Sequence, residues 1–149
     1  MKEILFKALT KEGKWVEGGY VTGAGKTQLL HLEEVFNEEL AYHGSTNCKS
    51  IKPYGYDVIS ETVCQYTNLK DKNGNLIFEG DIVKDLYPET QWEGIGPVIY
   101  LNGSYGIRYN KPIQEDFLGM NLDCLINENG ICEIEVIGNI HDKEESNDK

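Results

Sequence analysis

The sequence predicts an all-β chain, folded as a small barrel or strongly curved sheet, on three observations. Short runs of β-forming residues recur about seven or eight times along the chain, too short and too often broken for core helices. Turn residues separate them, most plainly Asn73-Gly74, Asn102-Gly103 and Asn129-Gly130. No alternation of strand and helix patterns appears that would build a parallel sheet.

Taken in order, residues 3–9 alternate imperfectly, with Ile4, Phe6 and Ala8 on one face. Residues 10–13 turn the chain, and residues 15–21 form a second strand. Gly18-Gly19 within it predicts a bulge or the close approach of another backbone. Residues 23–27, Gly-Ala-Gly-Lys-Thr, look like the end of a phosphate-binding loop. The full pattern needs a glycine where Tyr20 stands, and no acidic strand end follows to hold magnesium. The reading is a tight hairpin tip, with a third strand over residues 27–32. Residues 33–43 space Leu32, Val35, Phe36 and Leu40 almost as a helix would, with glutamates between, so a short helix and an irregular excursion both fit. Residues 44–56 carry Pro53 and Gly55 and read as loop. Ser60 could cap a single helical turn ending near Val63. In the second half, residues 96–101 and 104–109 flank Asn102-Gly103 as the cleanest hairpin. Residues 122–126 are a short apolar piece. Residues 131–137 form the last strand, with Cys132, Ile134 and Val136 inward. The expected organisation is one domain over 1–142, followed by a polar, frayed tail at 143–149.

The stretch that organises the rest is residues 64–84, CQYTNLKDKNGNLIFEGDIVK. A turn at Asn73-Gly74 leads into Leu76-Ile77-Phe78, a sharp bend at Gly80 follows, and then a core strand begins at Asp81. This stretch resembles the YopX family of small proteins from phages and prophages of Gram-positive bacteria. Three further segments agree with it in the right order: KEILFKA at 2–8, Trp-Val-Glu-Gly-Gly-Tyr at 15–20, and EVIGNI at 135–140. The resemblance runs from the first residues to about Asp142, nearly the whole chain. It implies an SH3-like small barrel with additional N-terminal strands, and it implies no biochemical activity, since the family has none established. Asn68 stands where the family pattern has glycine, which positive φ tolerates in asparagine. The tail reads Lys143-Glu144-Glu145-Ser146 in place of a proline and apolar residues, so a contact made by an apolar tail in relatives does not carry over.

The chain has 149 residues and a formal net charge of −11. Between Lys111 and Lys143 there is no Lys or Arg, while Glu115, Asp116, Asp123, Glu128, Glu133 and Glu135 fall there. A duplex binder needs a basic footprint, so the charge argues against direct nucleic-acid binding and permits a basic partner. No apolar run approaches membrane-spanning length, and no signal peptide is visible, so the expected location is the cytoplasm of a bacterial host. Cys48, Cys64, Cys124 and Cys132 form no metal-ligand spacing; Cys124 and Cys132 have apolar neighbours and read as buried thiols. No metal, cofactor or disulfide is expected.

Chemistry finds little purchase. His31, His43 and His141 are the only histidines, and none stands in a nucleophile–base motif. Glu79 and Asp81 could face one way on a straight strand, but Gly80 breaks it, and Asp81 is better read as accepting a backbone N–H at the bend. The aromatics are more suggestive. Trp15, Tyr20, Tyr66, Tyr87, Trp92, Tyr100, Tyr105 and Tyr109 exceed what a small barrel buries. Trp92, Tyr87 and Tyr105 are the candidate protein-binding residues, with Trp92 beside Pro88 in a polar loop as the main anchor. The expected function is therefore a non-catalytic protein-binding accessory protein, its partner an unidentified host or phage protein, with homo-oligomerisation possible through an open edge. The alternatives are a nucleic-acid-associated role or an acidic decoy of a DNA-binding protein, and, last, a metal-dependent or nucleotide-linked enzyme.

Overall fold

The computed structural model describes residues 2–85, 94–110 and 119–142. The chain forms two compact units, Leu5–Val63 and, in the other, Met1–Ile4 with Cys64–Lys149.

The unit over Leu5–Val63 is built on β1 (Phe6–Leu9), β2 (Trp15–Gly23), β3 (Lys26–Phe36) and β4 (Lys49–Asp57), antiparallel in the order β4-β3-β2-β1. A five-residue helix, α1 (Glu38–Tyr42), bridges β3 and β4, with the Asn37 side chain capping it by accepting from the Leu40 N–H. Ala8, Val16 and Leu29 make its small core, with Phe6, Val58 and Val63 packed against them. The expected hairpin tip is there: Gly23 pairs with Lys26, and Ala24 (φ 50°) and Gly25 (φ 75°) make a two-residue turn of left-handed backbone. A strand follows where a phosphate loop would need a helix. The one-turn helix also forms, as a 3-10 turn over Ser60–Thr62, but Ser60 does not cap it. Thr62 does the local work instead, donating to the Ile59 carbonyl and accepting from the Leu9 N–H.

The other unit opens with β5 (Cys64–Lys70) and β6 (Leu76–Phe78), where Tyr66 sits opposite Phe78. Asn68 takes φ 68°, and its side chain both accepts from the Glu3 N–H and donates to the Glu3 carbonyl. A sheet of five strands follows, β7 (Asp81–Asp85), β8 (Gly94–Leu101), β9 (Ser104–Arg108), β10 (Gly119–Asn121) and β11 (Ile134–Asn139), ordered β10-β9-β8-β7-β11. Its core gathers Ile77, Val83, Val98, Ile107, Leu122 and Ile134. Asn102-Gly103 turns β8 into β9 with both residues at positive φ, as the dipeptide predicts. Gly80 (φ 87°) makes the bend before β7.

The expected SH3-like barrel is not formed. The sheets are open: β10 and β11 end the second sheet as its two edges and do not pair with each other, and β4 ends the first. Short strands separated by Asn-Gly turns are common to barrels and open sheets, and closure depends on a pairing between sequence-distant strands that no local residue pattern encodes. Two local readings also change. Residues 33–36 continue β3, and residues 49–57 are strand, not loop. Pro53 and Gly55 are the turn signals that misled there. On the outermost strand of a sheet a proline costs no ladder bond if its nitrogen faces outward.

Candidate functional site

Of the three candidate aromatics, Trp92 and Tyr87 lie outside the described residues. Tyr105 lies on β9 directly opposite Tyr100, their rings edge to face with centroids 5.0 Å apart. Tyr105 is half-buried, whereas Tyr100 and Leu101 beside it are 54% and 61% exposed at the end of the hairpin. Burial raises the Tyr105 pKa, and the nearby Glu79 carboxylate and Tyr100 add to it, so the phenol stays neutral and offers an O–H donor at physiological pH. A cross-strand aromatic pair held by an Asn-Gly turn is a rigid platform of large contact area and low entropy cost.

A second aromatic array occupies the sheet of the Leu5–Val63 unit. The His31 ring stacks on Tyr54 and Tyr56, at 5.8 and 5.1 Å, and its Nε2 lies 2.7 Å from a Glu33 carboxylate oxygen. The register explains the grouping: His31 faces Tyr54, and Leu29 faces Tyr56, so all point from the same side of the β3–β4 ladder. Sequence reading placed His31 on a strand among apolar neighbours but missed its partners, because residues 44–56 read as loop.

The buried polar groups are structural. Asp81 is fully buried; one of its oxygens accepts from the Phe78 N–H at 2.8 Å and the other from the Asn139 side-chain amide at 3.0 Å. This is the backbone-accepting role expected beside Gly80. Asp85 accepts from the Tyr109 hydroxyl at 3.1 Å. His43 ends α1, and the His141 N–H donates to the Asn139 side chain. No group of three or more His, Cys, Asp or Glu able to hold a metal ion exists among the described residues.

The thiols split differently from expectation. Cys64 and Cys132 are buried, but Cys124 is exposed, because its place in the 3-10 turn Leu122–Leu125 sends Leu122 and Leu125 inward in its stead. Burial, with Asp85, Glu133 and Asp71 nearby, pushes the Cys132 thiol up to about 12. A thiol reagent on the native protein is therefore expected to modify Cys124 and Cys48 and to spare Cys64 and Cys132 until the chain unfolds. Mass mapping of the labelled peptides checks this.

The same groups predict alkaline instability. Burial, followed by the Asp85 carboxylate and its hydrogen bond, raises the Tyr109 pKa well above the usual phenol value. Both Tyr109 and Cys132 hold their protons more tightly when folded. Their contribution is whole below the unfolded values of 9.0 for the thiol and 10.0 for the phenol, and it is lost as pH rises toward the folded values. Stability measured by urea unfolding should be flat with respect to these groups up to about pH 8 and fall above about pH 9. Cys132→Ala, though less stable, should show a weaker fall.

What the fold and these sites define is an all-β protein with open sheet edges and exposed aromatics, without an assembled catalytic constellation among its described residues. The chain belongs to the YopX family, a group of phage and prophage proteins: the family model described as YopX protein matches residues 10–146. Protein EF1440 from Enterococcus faecalis, known from its crystal structure, has a similar fold (TM-score 0.54, 21% identity, 95% of this chain and 96% of that one covered). No curated protein matches. No helix among the described residues is long and apolar enough to cross a membrane.

Proposed function

We propose that the chain is an accessory protein that acts in the bacterial host cytoplasm by binding another protein, not by catalysis. The observation that carries this reading is where its chemistry-bearing groups go. Asp71, Asp81 and Asp85 are buried and bonded to backbone or to neighbouring side chains, while Tyr100, Leu101, Leu32, Phe36 and Ile51 are exposed on sheets. Exposed apolar and aromatic side chains on a rigid sheet fit recognition of a partner surface. Trp92, Tyr87 and Tyr105 are the proposed anchors, and the charge of −11 favours a basic partner.

The test is an affinity capture from host lysate with the wild type, Trp92→Ala and Tyr105→Ala in parallel. A stoichiometric protein retained by the wild type and lost with either variant supports the reading and locates the anchor. A wild type that retains nothing, in both uninfected and infected lysate, contradicts it.

A further inference from the structure

Beyond Leu30, β3 and β4 continue together without β2. The β2–β3 ladder runs only from Gly23–Lys26 to Gly19–Leu30, whereas β4 follows β3 all the way to Phe36–Lys49. The parting occurs at Gly18, which pairs with Phe6 on β1. A Cβ at Gly18 would run into the Leu30 carbonyl oxygen, so β2 meets β3 at this point by a close backbone approach and then leaves it. Residues 31–36 are thus laddered to β4 on one side and, among the described residues, to no strand on the other.

The two outer edges of this ribbon are unlike. The β4 edge carries Lys49, Lys52 and Pro53, the lysine-and-proline composition by which natural edges resist pairing. Residues 31–36 read HLEEVF, with neither lysine nor proline. Alternation puts Leu32, Glu34 and Phe36 on one face and His31, Glu33 and Val35 on the other. Leu32 and Phe36 are each 68% exposed. Glu33 and Glu34 lie on the strand itself and Glu38 and Glu39 follow in α1; Lys49 on β4 reaches Glu34 at 3.4 Å from the side away from the free edge, Lys52 stands opposite Glu33 on that same side, and the His31 Nε2 lies 2.7 Å from Glu33. A two-stranded ribbon is marginal in water, and a third strand would stabilise it.

We propose that residues 31–36 accept an extended, basic segment of a partner protein as an added antiparallel strand. The proposal rests on the protein-binding reading above and gives it a second surface. Main-chain hydrogen bonds to the free edge supply attachment, and side-chain pairs across the new ladder supply selection. Antiparallel pairing sets the matching pattern. Apolar residues lie opposite Phe36 and Leu32, and Lys or Arg lies opposite Glu34 and Glu33, so the segment reads apolar-x-basic-basic-apolar.

The probe is a fluorescein-labelled peptide, TVTKKVT, titrated against the full chain by fluorescence anisotropy. Saturable binding is expected, with TVTEEVT weaker by about ten-fold or more. The variant carrying Glu33→Lys and Glu34→Lys should invert this preference, which a merely unfolded variant cannot do. N-methylating alternate peptide amides should abolish binding for one alternating set and spare the other, because only one set faces the edge. The proposal is overturned by no saturable binding of TVTKKVT, by equal binding of both N-methylated sets, or by an unchanged preference in the charge-reversed variant. A protein captured from lysate through Trp92 while the peptide fails to bind would leave the binding-module reading standing and remove this edge as its site.

Discussion

Gly96→Ala is expected to be among the most damaging single substitutions in the described chain, with a loss of about 3 kcal/mol or more of unfolding free energy. Gly96 is buried on β8 opposite Val83. A Cβ there would run into the Arg108 carbonyl oxygen, with the Tyr109 Cα 3.0 Å away. Both obstacles are backbone. They are held in place because the Asn110 N–H donates to the Ile95 carbonyl at 2.8 Å just beyond them. A side chain could swing aside; this crossing cannot without breaking the end of the β8–β9 hairpin. Gly23→Ala is the control, since a Cβ there meets nothing within 4 Å and φ is not positive. It should change stability by less than about 1 kcal/mol. Urea unfolding of the two variants beside the wild type reads the difference, and a Gly96→Ala protein as stable as Gly23→Ala would contradict the packing described for β8.

Asp71→Asn should cost about 2–4 kcal/mol although it preserves size and shape. Asp71 is fully buried. One carboxylate oxygen accepts from the N–H groups of Asn73 and Asn75 at 2.9 and 2.8 Å, which builds the turn before β6. The other accepts from the Asn75 side-chain amide at 3.3 Å and from the Val136 N–H at 3.0 Å, which ties that turn to β11. Every contact is with a donor. An asparagine amide must therefore point its NH2 at donors whichever way it is turned, leaving buried N–H groups without acceptors. Asp71→Ala removes both oxygens and should cost at least as much. Thermal unfolding and amide exchange at Asn75 and Val136 measure the effect. Fast exchange at both with little loss of global stability would show the turn to be dispensable.

The sequence made local chemistry legible and long-range pairing illegible, and particular residues show why. Gly25, Asn68 and Asn102-Gly103 were readable because left-handed backbone has few tenants, so residue type and conformation are tightly coupled, whereas Ala24 takes the same backbone without a residue type that announces it. Gly18 was readable as a close approach for a different reason, that only a residue without a Cβ fits against the Leu30 carbonyl, although which backbone approached was not. Asp71 escaped notice entirely. Its four donors come from Asn73, Asn75 and Val136, and nothing near position 71 announces a partner at position 136. β4 was lost because Pro53 and Gly55 carry turn statistics that an outermost strand can ignore, and with it went the His31–Tyr54–Tyr56 stack. The barrel was over-read because local patterns do not distinguish a closed sheet from an open one. For the proposed binding aromatics, only Tyr105 has a described setting, and its pairing with Tyr100 followed from a turn that the sequence displayed.

Residues 31–36 leave one side of β3 without a strand among the described residues. Amide hydrogen exchange followed by NMR over residues 31–36 tests it most directly. Alternate amides should be protected by the β4 ladder, and those between them should exchange rapidly because they face no strand among the described residues. Protection of all six would mean that the edge is already covered by closure of the sheet or by self-association, and that result would contradict the account.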